Sequence, residues 1–426
     1  MKKNNSNKHK IFYCYSLISI ILFLLFIISC GSASLNSNVP VDVYVGGNSF
    51  ISTTNVPVAV YWKNGEMVIL SKEYSRVTSI AVKGSDVYAG GYIIKFDPSI
   101  PSEYEVASIT VPGYWKNGKW VGLSVLASKK SSSVETIFVA GDDVYTGGYS
   151  TDRSNNSVAG YWKNGKWVGL SVLASKKSST VKTIIIDGND IYAGGYSTDR
   201  SNNSVAGYWK NGKWVGLTSD SGYNSCINSI FVVNNDIYAC GYMSGKGIRI
   251  PVYWKNGECV ELISFSDKKY GDTNSFFVSN NNVYVCGISK NSSGEYIACY
   301  WKNSEIKPLL SSDPKYELRV TSLFVSGKDV YIGGYLNHRY YTPFASIVGG
   351  YWKNSEWITL KPMDNKENSE VSSIFVFGKD VYAGGYCNNS NGDHIPGYWK
   401  NGEWVDFNIK GGEVSSIVVV PRPIGQ

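Results

Sequence analysis

The sequence predicts an all-β fold assembled from eight tandem units, because three strings of letters recur along the chain. The string Tyr-Trp-Lys-Asn occurs eight times at intervals of 45 to 53 residues, beginning at Tyr61, Tyr114, Tyr161, Tyr208, Tyr253, Tyr300, Tyr351 and Tyr398. A VYxGG-like string begins eight times between Val43 and Val381, and a VSSIFV-like string begins eight times between Val77 and Val414. Self-similarity at this period is typical of repeat architectures.

Each unit is predicted to contain four strands. The three strings, and a fourth such as KWVG, are short, rich in Val, Ile, Tyr and Trp, and bounded by Gly, Asn and Asp. This composition is typical of strands that end in tight turns. No stretch beyond residue 40 sustains a helical period, so no helix is predicted there.

Two turns in each unit are predicted to be tight. The loop between the first and second strands begins with Gly or Asn, which accept a positive φ. The loop between the third and fourth strands is Asn-Gly six times and Asn-Ser twice. Asn-Gly favours a type I′ turn, which places Trp115 opposite Trp120 and Lys116 opposite Lys119. All thirteen tryptophans lie in this hairpin, which favours cross-strand packing over the alternative, a sugar-stacking platform.

Four-stranded units of about 47 residues are typical of the blades of a β-propeller, so the sequence predicts an eight-bladed ring. The order of the strands along the chain also predicts how the ring closes. The repeat region begins at Val41 with the second strand of a unit, and it finishes with a lone first strand, Val414–Val420. Together these fragments complete one blade, which pairs two otherwise open sheet edges.

The first thirty residues predict export and lipidation. Residues 1–10 are basic and polar, residues 11–29 are nearly all apolar, and Cys30 follows, as in a secretory signal. The boundary Ile27-Ile28-Ser29-Cys30 resembles the lipobox of bacterial lipoproteins, which implies cleavage before Cys30 and acyl chains that hold the protein to a membrane. Alternatives are an uncleaved transmembrane anchor or a plain cleaved signal. The predicted organisation is signal peptide 1–29, lipidated tether 30–40 and propeller 41–426.

The chain as a whole resembles bacterial lipoproteins that carry tandem YWKNG-type repeats and look like β-propellers. The repeats cover about 90% of the chain, and residues 147–170 are identical to residues 194–217. This resemblance implies the fold and the envelope location but little about activity. A recent duplication of a unit favours a scaffold that tolerates added blades.

Composition and motifs exclude several classes of function. The formal charge is +7, but four of the 41 basic residues precede Ser29, which leaves +3 against 34 acidic residues. This small surplus does not indicate nucleic-acid binding. Three histidines, and the absence of HExxH, DxDxDG and GxSxG strings, indicate no metal site, cofactor or serine nucleophile. A recurring Asp after the first turn is interpreted as a turn residue, with calcium binding as the alternative.

Two cysteines are candidates for a disulfide bond. Cys286 and Cys299 replace glycines that are predicted to lie on adjacent strands, and an exported compartment permits the bond. Buried free thiols are the alternative interpretation.

Two connections are longer than their counterparts and form the candidate binding loops. Segments 93–111 and 336–349 both join a second strand to a third, so they lie on the rim opposite the tight turns. They contain aromatic and basic residues of the kinds that commonly anchor interfaces. These are Phe96, Tyr104, His338, Arg339, Tyr340, Tyr341 and Phe344. Insertion drift without function is the alternative interpretation.

The sequence therefore predicts an exported, lipid-anchored propeller acting as a non-enzymatic binding module for an unidentified protein or glycan. The residues that break the repeat are interpreted as mostly Ser, Asn and Lys, which disfavours catalysis. The alternatives are a propeller enzyme acting on carbohydrate and a structural subunit of an envelope complex.

Overall fold

The computed structural model describes residues 39–51, 56–96, 108–217, 222–267, 270–311, 313, 315–338, 347–363 and 368–422. In this part of the chain all regular structure is β-strand. Among these residues there is no helix long and apolar enough to span a membrane.

The strands form eight four-stranded blades. The closing blade contains β1 (Val41–Phe50), β2 (Pro57–Lys63), β3 (Glu66–Ile69) and β32 (Gly412–Pro421). Blade 1 contains β4 (Ser75–Lys83), β5 (Asp86–Phe96), β6 (Ser108–Lys116) and β7 (Lys119–Gly122). Blade 2 contains β8 (Ser132–Ala140), β9 (Asp143–Thr151), β10 (Ser157–Lys163) and β11 (Lys166–Gly169). Blade 3 contains β12 (Ser179–Asp187), β13 (Asp190–Thr198), β14 (Ser204–Lys210) and β15 (Lys213–Gly216).

The second half of the chain repeats this plan. Blade 4 contains β16 (Asn224–Val233), β17 (Asp236–Gly245), β18 (Ile248–Lys255) and β19 (Glu258–Glu261). Blade 5 contains β20 (Gly271–Ser279), β21 (Asn282–Lys290), β22 (Tyr296–Lys302) and β23 (Glu305–Pro308). Blade 6 contains β24 (Tyr316–Ser326), β25 (Asp329–His338), β26 (Ile347–Lys353) and β27 (Glu356–Thr359). Blade 7 contains β28 (Ser369–Phe377), β29 (Asp380–Asn388), β30 (His394–Lys400) and β31 (Glu403–Asp406).

The blades are arranged in a closed ring. Each blade is an antiparallel sheet whose strands pair in sequence order, with β32 completing the closing blade beside β1. The first strands β4, β8, β12, β16, β20, β24, β28 and β32 contact one another in a closed circle around the axis. The predicted eight-bladed propeller is confirmed.

The ring closes as the sequence predicts. Strand β1 pairs with β32, so that Val43 lies opposite Val419. Just beyond this pairing, the Arg422 amide donates a hydrogen bond to the Pro40 carbonyl, and Arg422 Nε lies 2.6 Å from Asp42 Oδ1. Main-chain pairing and one ion pair therefore join the two ends of the described chain.

Type I′ hairpins set the register of the outer strands. Asn64 and Gly65 both have positive φ, 53° and 91°, as this turn requires. In blade 2 the turn places Trp162 opposite Trp167, with ring centroids 4.7 Å apart. The first tryptophan of each blade is almost completely buried, so the predicted cross-strand packing is confirmed and the sugar platform is excluded for these eight rings.

The two kinds of tight turn share one rim, called here the lower rim. In the closing blade the turn residue Asn64 accepts a hydrogen bond from the Val43 amide through Oδ1 and donates one through Nδ2 to Asp42, at the start of the second strand. The same contact recurs between Asn164 and Asp143. The connections from second to third strands and from fourth to first strands form the opposite, upper rim.

The recurring aspartates hold these turns together. Asp143 accepts hydrogen bonds from Asn164 Nδ2 at 2.7 Å and from the Tyr145 hydroxyl at 3.4 Å, and it pairs with Lys163 Nζ at 2.7 Å. The lysine and asparagine beside it lower the pKa of the Asp143 carboxyl. The interpretation of this Asp as a turn residue is therefore supported by its contacts.

Candidate functional site

A β-bulge interrupts every first strand near the upper rim. In blade 1, Val77 pairs with Gly91 and Ser79 with Gly90, which leaves Thr78 unpaired. Its hydroxyl donates hydrogen bonds to the carbonyls of Gly90 and of Val134 in the next blade. Thr321 makes the same bridge to Val371. The bulge therefore links neighbouring blades close to the axis, and it directs the side chains that precede it.

Eight residues at one position of the first strands surround the axis above the bulges. Each immediately precedes the valine-like residue of the VSSIFV string, and in ring order they are Asp272, Arg319, Glu370, Glu413, Arg76, Ser133, Thr180 and Cys226. The first five form a charged arc over five consecutive blades and are half-buried or exposed, whereas the last three are uncharged and buried. The charge of this ring is thus confined to one side of the axis.

Tyrosines face the ring from the second strands. The residue paired with each ring member is a tyrosine in six blades, namely Tyr92, Tyr149, Tyr196, Tyr242, Tyr335 and Tyr386. Burial raises the pKa of Tyr335 to about 12, with the carboxylate of Glu370 adding to the effect. The Tyr335 hydroxyl therefore stays protonated at neutral pH and can donate a hydrogen bond beside the charged arc.

Four of the five members of the charged arc have a charged partner. Arg249 Nε lies 3.0 Å from Asp272, and its guanidinium carbon lies 3.4 Å from the centroid of the Tyr242 ring. Arg76 Nη2 lies 4.0 Å from the carboxylate of Glu413 in the neighbouring blade. Arg319 pairs with Glu317 at 2.8 Å. Burial raises the pKa of the Asp272 carboxyl group, and Arg249 opposes this rise.

Glu370 is the exception. Within the described ranges no cation lies within ion-pair distance of its carboxyl group, which accepts a hydrogen bond from the Tyr386 hydroxyl at 3.5 Å. Burial raises the pKa of Glu370 to about 7, the bond from Tyr386 opposes the rise, and the charge of Glu413 adds to it. Close to neutral pH this carboxyl group therefore exists in both protonation states.

This arrangement suits proton transfer. A carboxyl group with a pKa close to the working pH can both donate and accept a proton. In the adjacent blade Glu413 provides a second carboxylate, which is paired with Arg76. Two carboxyl groups in different environments can divide the roles of acid and base. Among the described residues no group of three His, Cys, Asp or Glu side chains is placed to hold a metal ion.

The described candidates from the enlarged connections lie apart from one another. Phe96 is at the end of β5 in blade 1, is 58% exposed, and lines a shallow cavity of about 390 Å³ with Tyr74 and Ile94. His338 is at the end of β25 in blade 6, where its ring meets Tyr316 edge-on at 5.7 Å. Two blades separate blade 1 from blade 6 around the ring, so the structure does not bring Phe96 and His338 together.

The remaining candidates lie outside the described residues. These are the lipidation residue Cys30 and the loop residues Tyr104, Arg339, Tyr340, Tyr341 and Phe344.

The predicted disulfide bond between Cys286 and Cys299 is not formed, and the structure corrects it. Both residues are buried free thiols. The register pairs Cys286 with Tyr300 and Cys299 with Gly287, an offset of one residue. Neighbouring residues on a strand point to opposite faces, and the two cysteines accordingly belong to different hydrophobic clusters.

Sequence analysis did not identify the charged arc. The interpretation that repeat-breaking positions are mostly Ser, Asn and Lys is wrong at this position, where Asp272, Arg319, Glu370, Glu413 and Arg76 occur. The charged residues at this position become visible when each of the eight VSSIFV-like strings is extended by one residue towards the N-terminus. The importance of that letter depends on the circle of first strands, which brings the eight positions together.

Comparisons with known proteins find similarity at the level of the fold. No protein family and no curated protein matches the sequence. The β-propeller domain of the Trilobed protease from Pyrococcus furiosus matches with a TM-score of 0.41 and 9% identity, over 79% of this chain and 98% of that one. Pyrococcus horikoshii acylaminoacyl peptidase matches with a TM-score of 0.44 and 9% identity, over 79% of this chain and 52% of that one. This chain thus spans about half the length of the acylaminoacyl peptidase.

These matches correct one expectation. The sequence predicted a non-enzymatic module, whereas the two matching structures named above belong to a protease and a peptidase. At 9% identity the likeness shows the fold alone, so neither a substrate nor a catalytic residue is transferred to this chain.

Proposed function

We propose that this protein is a lipid-anchored envelope propeller whose charged arc performs acid–base chemistry on a carbohydrate. The observation that carries the proposal is Glu370, a half-buried carboxyl group with a pKa of about 7 at the one side of the ring where the repeat is broken by charged residues. A perturbed carboxyl group in such a setting is a candidate catalytic group.

The second carboxylate completes the assignment of roles. Glu370 in its protonated form is the proton donor to a leaving oxygen, and Glu413, paired with Arg76, is the base or nucleophile on the other side of the scissile bond. Cleavage of a glycosidic bond uses this combination of one protonated and one ionised carboxyl group. The donor is regenerated when a water proton returns to Glu370.

The surroundings favour a sugar over an apolar substrate. Tyr335 and Tyr386 flank Glu370 with half-buried rings and protonated hydroxyls, and Arg319 lies in the preceding blade. Sugars are recognised by aromatic faces together with hydrogen-bonding groups. The three carboxyl groups and two guanidinium groups of the arc supply many such hydrogen bonds.

The Glu370→Gln variant tests the activity. With a panel of labelled oligosaccharides and nitrophenyl glycosides, we expect the parent protein to cleave at least one compound. In the variant kcat should fall by roughly 10²- to 10⁴-fold, because the proton donor is lost. In the parent, kcat should decline as the pH rises through about 7, because Glu370 then loses its proton.

The control is Glu258→Gln in a lower-rim hairpin of blade 4, which should leave kcat unchanged. Equal activity of the parent and Glu370→Gln, or the absence of cleavage across the panel, would refute the proposal.

The envelope location is tested through Cys30. Because the boundary before Cys30 resembles a lipobox, Cys30→Ala should abolish incorporation of a radiolabelled fatty acid and leave an uncleaved precursor. Cys14→Ala, in the same leader, is the matched control and should be labelled like the parent. Equal labelling of parent and Cys30→Ala protein would contradict lipidation at this residue.

A further inference from the structure

Two adjacent connections expose the same apolar and basic segment. The sequence SVLASKK occurs at residues 124–130, between blades 1 and 2, and again at residues 171–177, between blades 2 and 3. Val125 and Leu126 are 39% and 41% exposed, and Val172 and Leu173 are 37% and 41% exposed. Neither segment contains an acidic residue. Clustered exposed apolar residues rimmed by polar ones are a feature of surfaces that contact a partner.

Hydrogen bonds fix each segment against a lysine-containing hairpin of the next blade. The Ser124 hydroxyl donates to the Gly165 carbonyl and accepts from the Trp167 amide, on both sides of Lys166. Ser171 makes the same two bonds to Gly212 and Trp214, on both sides of Lys213. Each exposed apolar pair therefore directly follows a serine that is bound to the lysine-containing hairpin of the next blade.

These lysines distinguish this side of the ring from the rest. The residue that directly follows the two-residue turn between the third and fourth strands is a lysine in blades 1, 2 and 3, at Lys119, Lys166 and Lys213. In the other five blades it is a glutamate, at Glu66, Glu258, Glu305, Glu356 and Glu403. The preceding lysine is neutralised by an aspartate, as in the Lys163–Asp143 pair. The extra lysines therefore concentrate positive charge in three adjacent blades.

We propose that this basic–apolar sector, formed by Val125, Leu126, Val172, Leu173, Lys166 and Lys213, docks onto an anionic lipid bilayer. The apolar pairs enter the boundary between headgroups and acyl chains, and the lysines contact phosphate groups. This combination of apolar insertion with basic residues is how peripheral proteins bind membranes.

The sector is also consistent with the proposed lipid anchor at Cys30. The orientation of the propeller on the membrane rests on that proposal. Eight residues lie between acylated Cys30 and the described Val39, so the two are at most about 30 Å apart when the chain is extended. The propeller is thus held within reach of the bilayer. Docking through the outer edge of blades 1 to 3, where the fourth strands lie, leaves the charged arc around the axis accessible to solvent.

Vesicle binding tests the sector independently of lipidation. The chain from Gly31 onward contains all strands of the closed ring and carries no acyl group. We expect it to bind vesicles of phosphatidylglycerol and phosphatidylcholine in low salt, and to bind pure phosphatidylcholine vesicles at least tenfold more weakly. Binding should weaken as salt is added, because the lysine–phosphate attraction is screened.

Two variants separate the contributions of the lysines and of the apolar residues to vesicle binding. Lys166→Glu with Lys213→Glu places the residue found in five other blades at both positions, and should weaken binding by roughly 20-fold or more. Val125→Ser, Leu126→Ser, Val172→Ser and Leu173→Ser together should weaken binding to both vesicle types. Leu310→Ser, which changes a 66% exposed residue elsewhere on the ring, is the control and should bind like the parent.

Three results would overturn the proposal. The first is parent protein that does not bind the anionic vesicles in low salt. The second is binding to soluble polyphosphate without binding to vesicles, which would assign the lysines to an anionic polymer. The third is a concentration-dependent dimer that the four-serine variant abolishes, which would assign the apolar pairs to a second copy of the chain. None of these results changes the labelling expected at Cys30 or the activity expected of Glu370.

Discussion

Deletion of Val414–Gln426 is expected to abolish cooperative folding. The deletion removes nearly all of β32, so the edge of β1 loses its partner and the contacts with β4 and β28 on either side are lost. It also removes five buried apolar side chains, Val414, Ile417, Val418, Val419 and Val420. Burial of each contributes about 1.5–3 kcal/mol, so their sum, about 8–15 kcal/mol, is as large as the whole stability of a typical domain.

Thermal unfolding followed by circular dichroism checks this expectation. A shorter deletion of residues 423–426 leaves β32 complete and serves as the control, with an unchanged midpoint. A deletion of Val414–Gln426 that keeps the melting transition of the parent would show that closure by β1 and β32 is dispensable.

Substitution of the second glycine of a VYxGG string is expected to be severely destabilising. A Cβ atom added at Gly91 would lie 2.0 Å from the Arg76 carbonyl oxygen and 3.0 Å from its carbon. These are main-chain atoms of the bulged first strand, so the bulge itself has to move. We expect Gly91→Ala to cost roughly 3 kcal/mol or more in the free energy of unfolding.

The first glycine of the same string is the matched control. A Cβ atom at Gly90 would meet side-chain atoms of Ile137 and Val134 at 3.1 and 3.2 Å, and the equivalent residue is cysteine in blades 4 and 5, at Cys240 and Cys286. We expect Gly90→Ala to cost less than about 1.5 kcal/mol. Urea denaturation of the two variants compares them directly, and equal costs would contradict the role of the bulge.

The repeat unit and its register were predictable because they depend on local chemistry. Asn-Gly in a two-residue loop requires positive φ at both positions, and both Asn117 and Gly118 have it. That turn alone determines that Trp115 lies opposite Trp120. Closure of the ring was predictable from order along the chain, because an isolated second strand and an isolated first strand complete each other.

The pairing of Cys286 with Cys299 was predicted wrongly because their register depends on the whole of β21 and β22. Counting positions from the repeat places the two residues on adjacent strands, which is correct, but an offset of one residue reverses the face of the sheet. The prediction was wrong about the face of the blade on which each cysteine lies, because sequence separation does not specify the face.

By itself the sequence determined the strands, the tight turns, the number of blades and the way the ring closes, because each depends on neighbouring letters or on their repetition. Only the tertiary structure decided where the candidate chemistry lies. Asp272, Arg319, Glu370, Glu413 and Arg76 are separated by 43 to 337 residues in the chain, yet the circle of first strands makes them neighbours. The pKa of Glu370 likewise depends on burial and on a carboxylate from the adjacent blade, which no local pattern specifies.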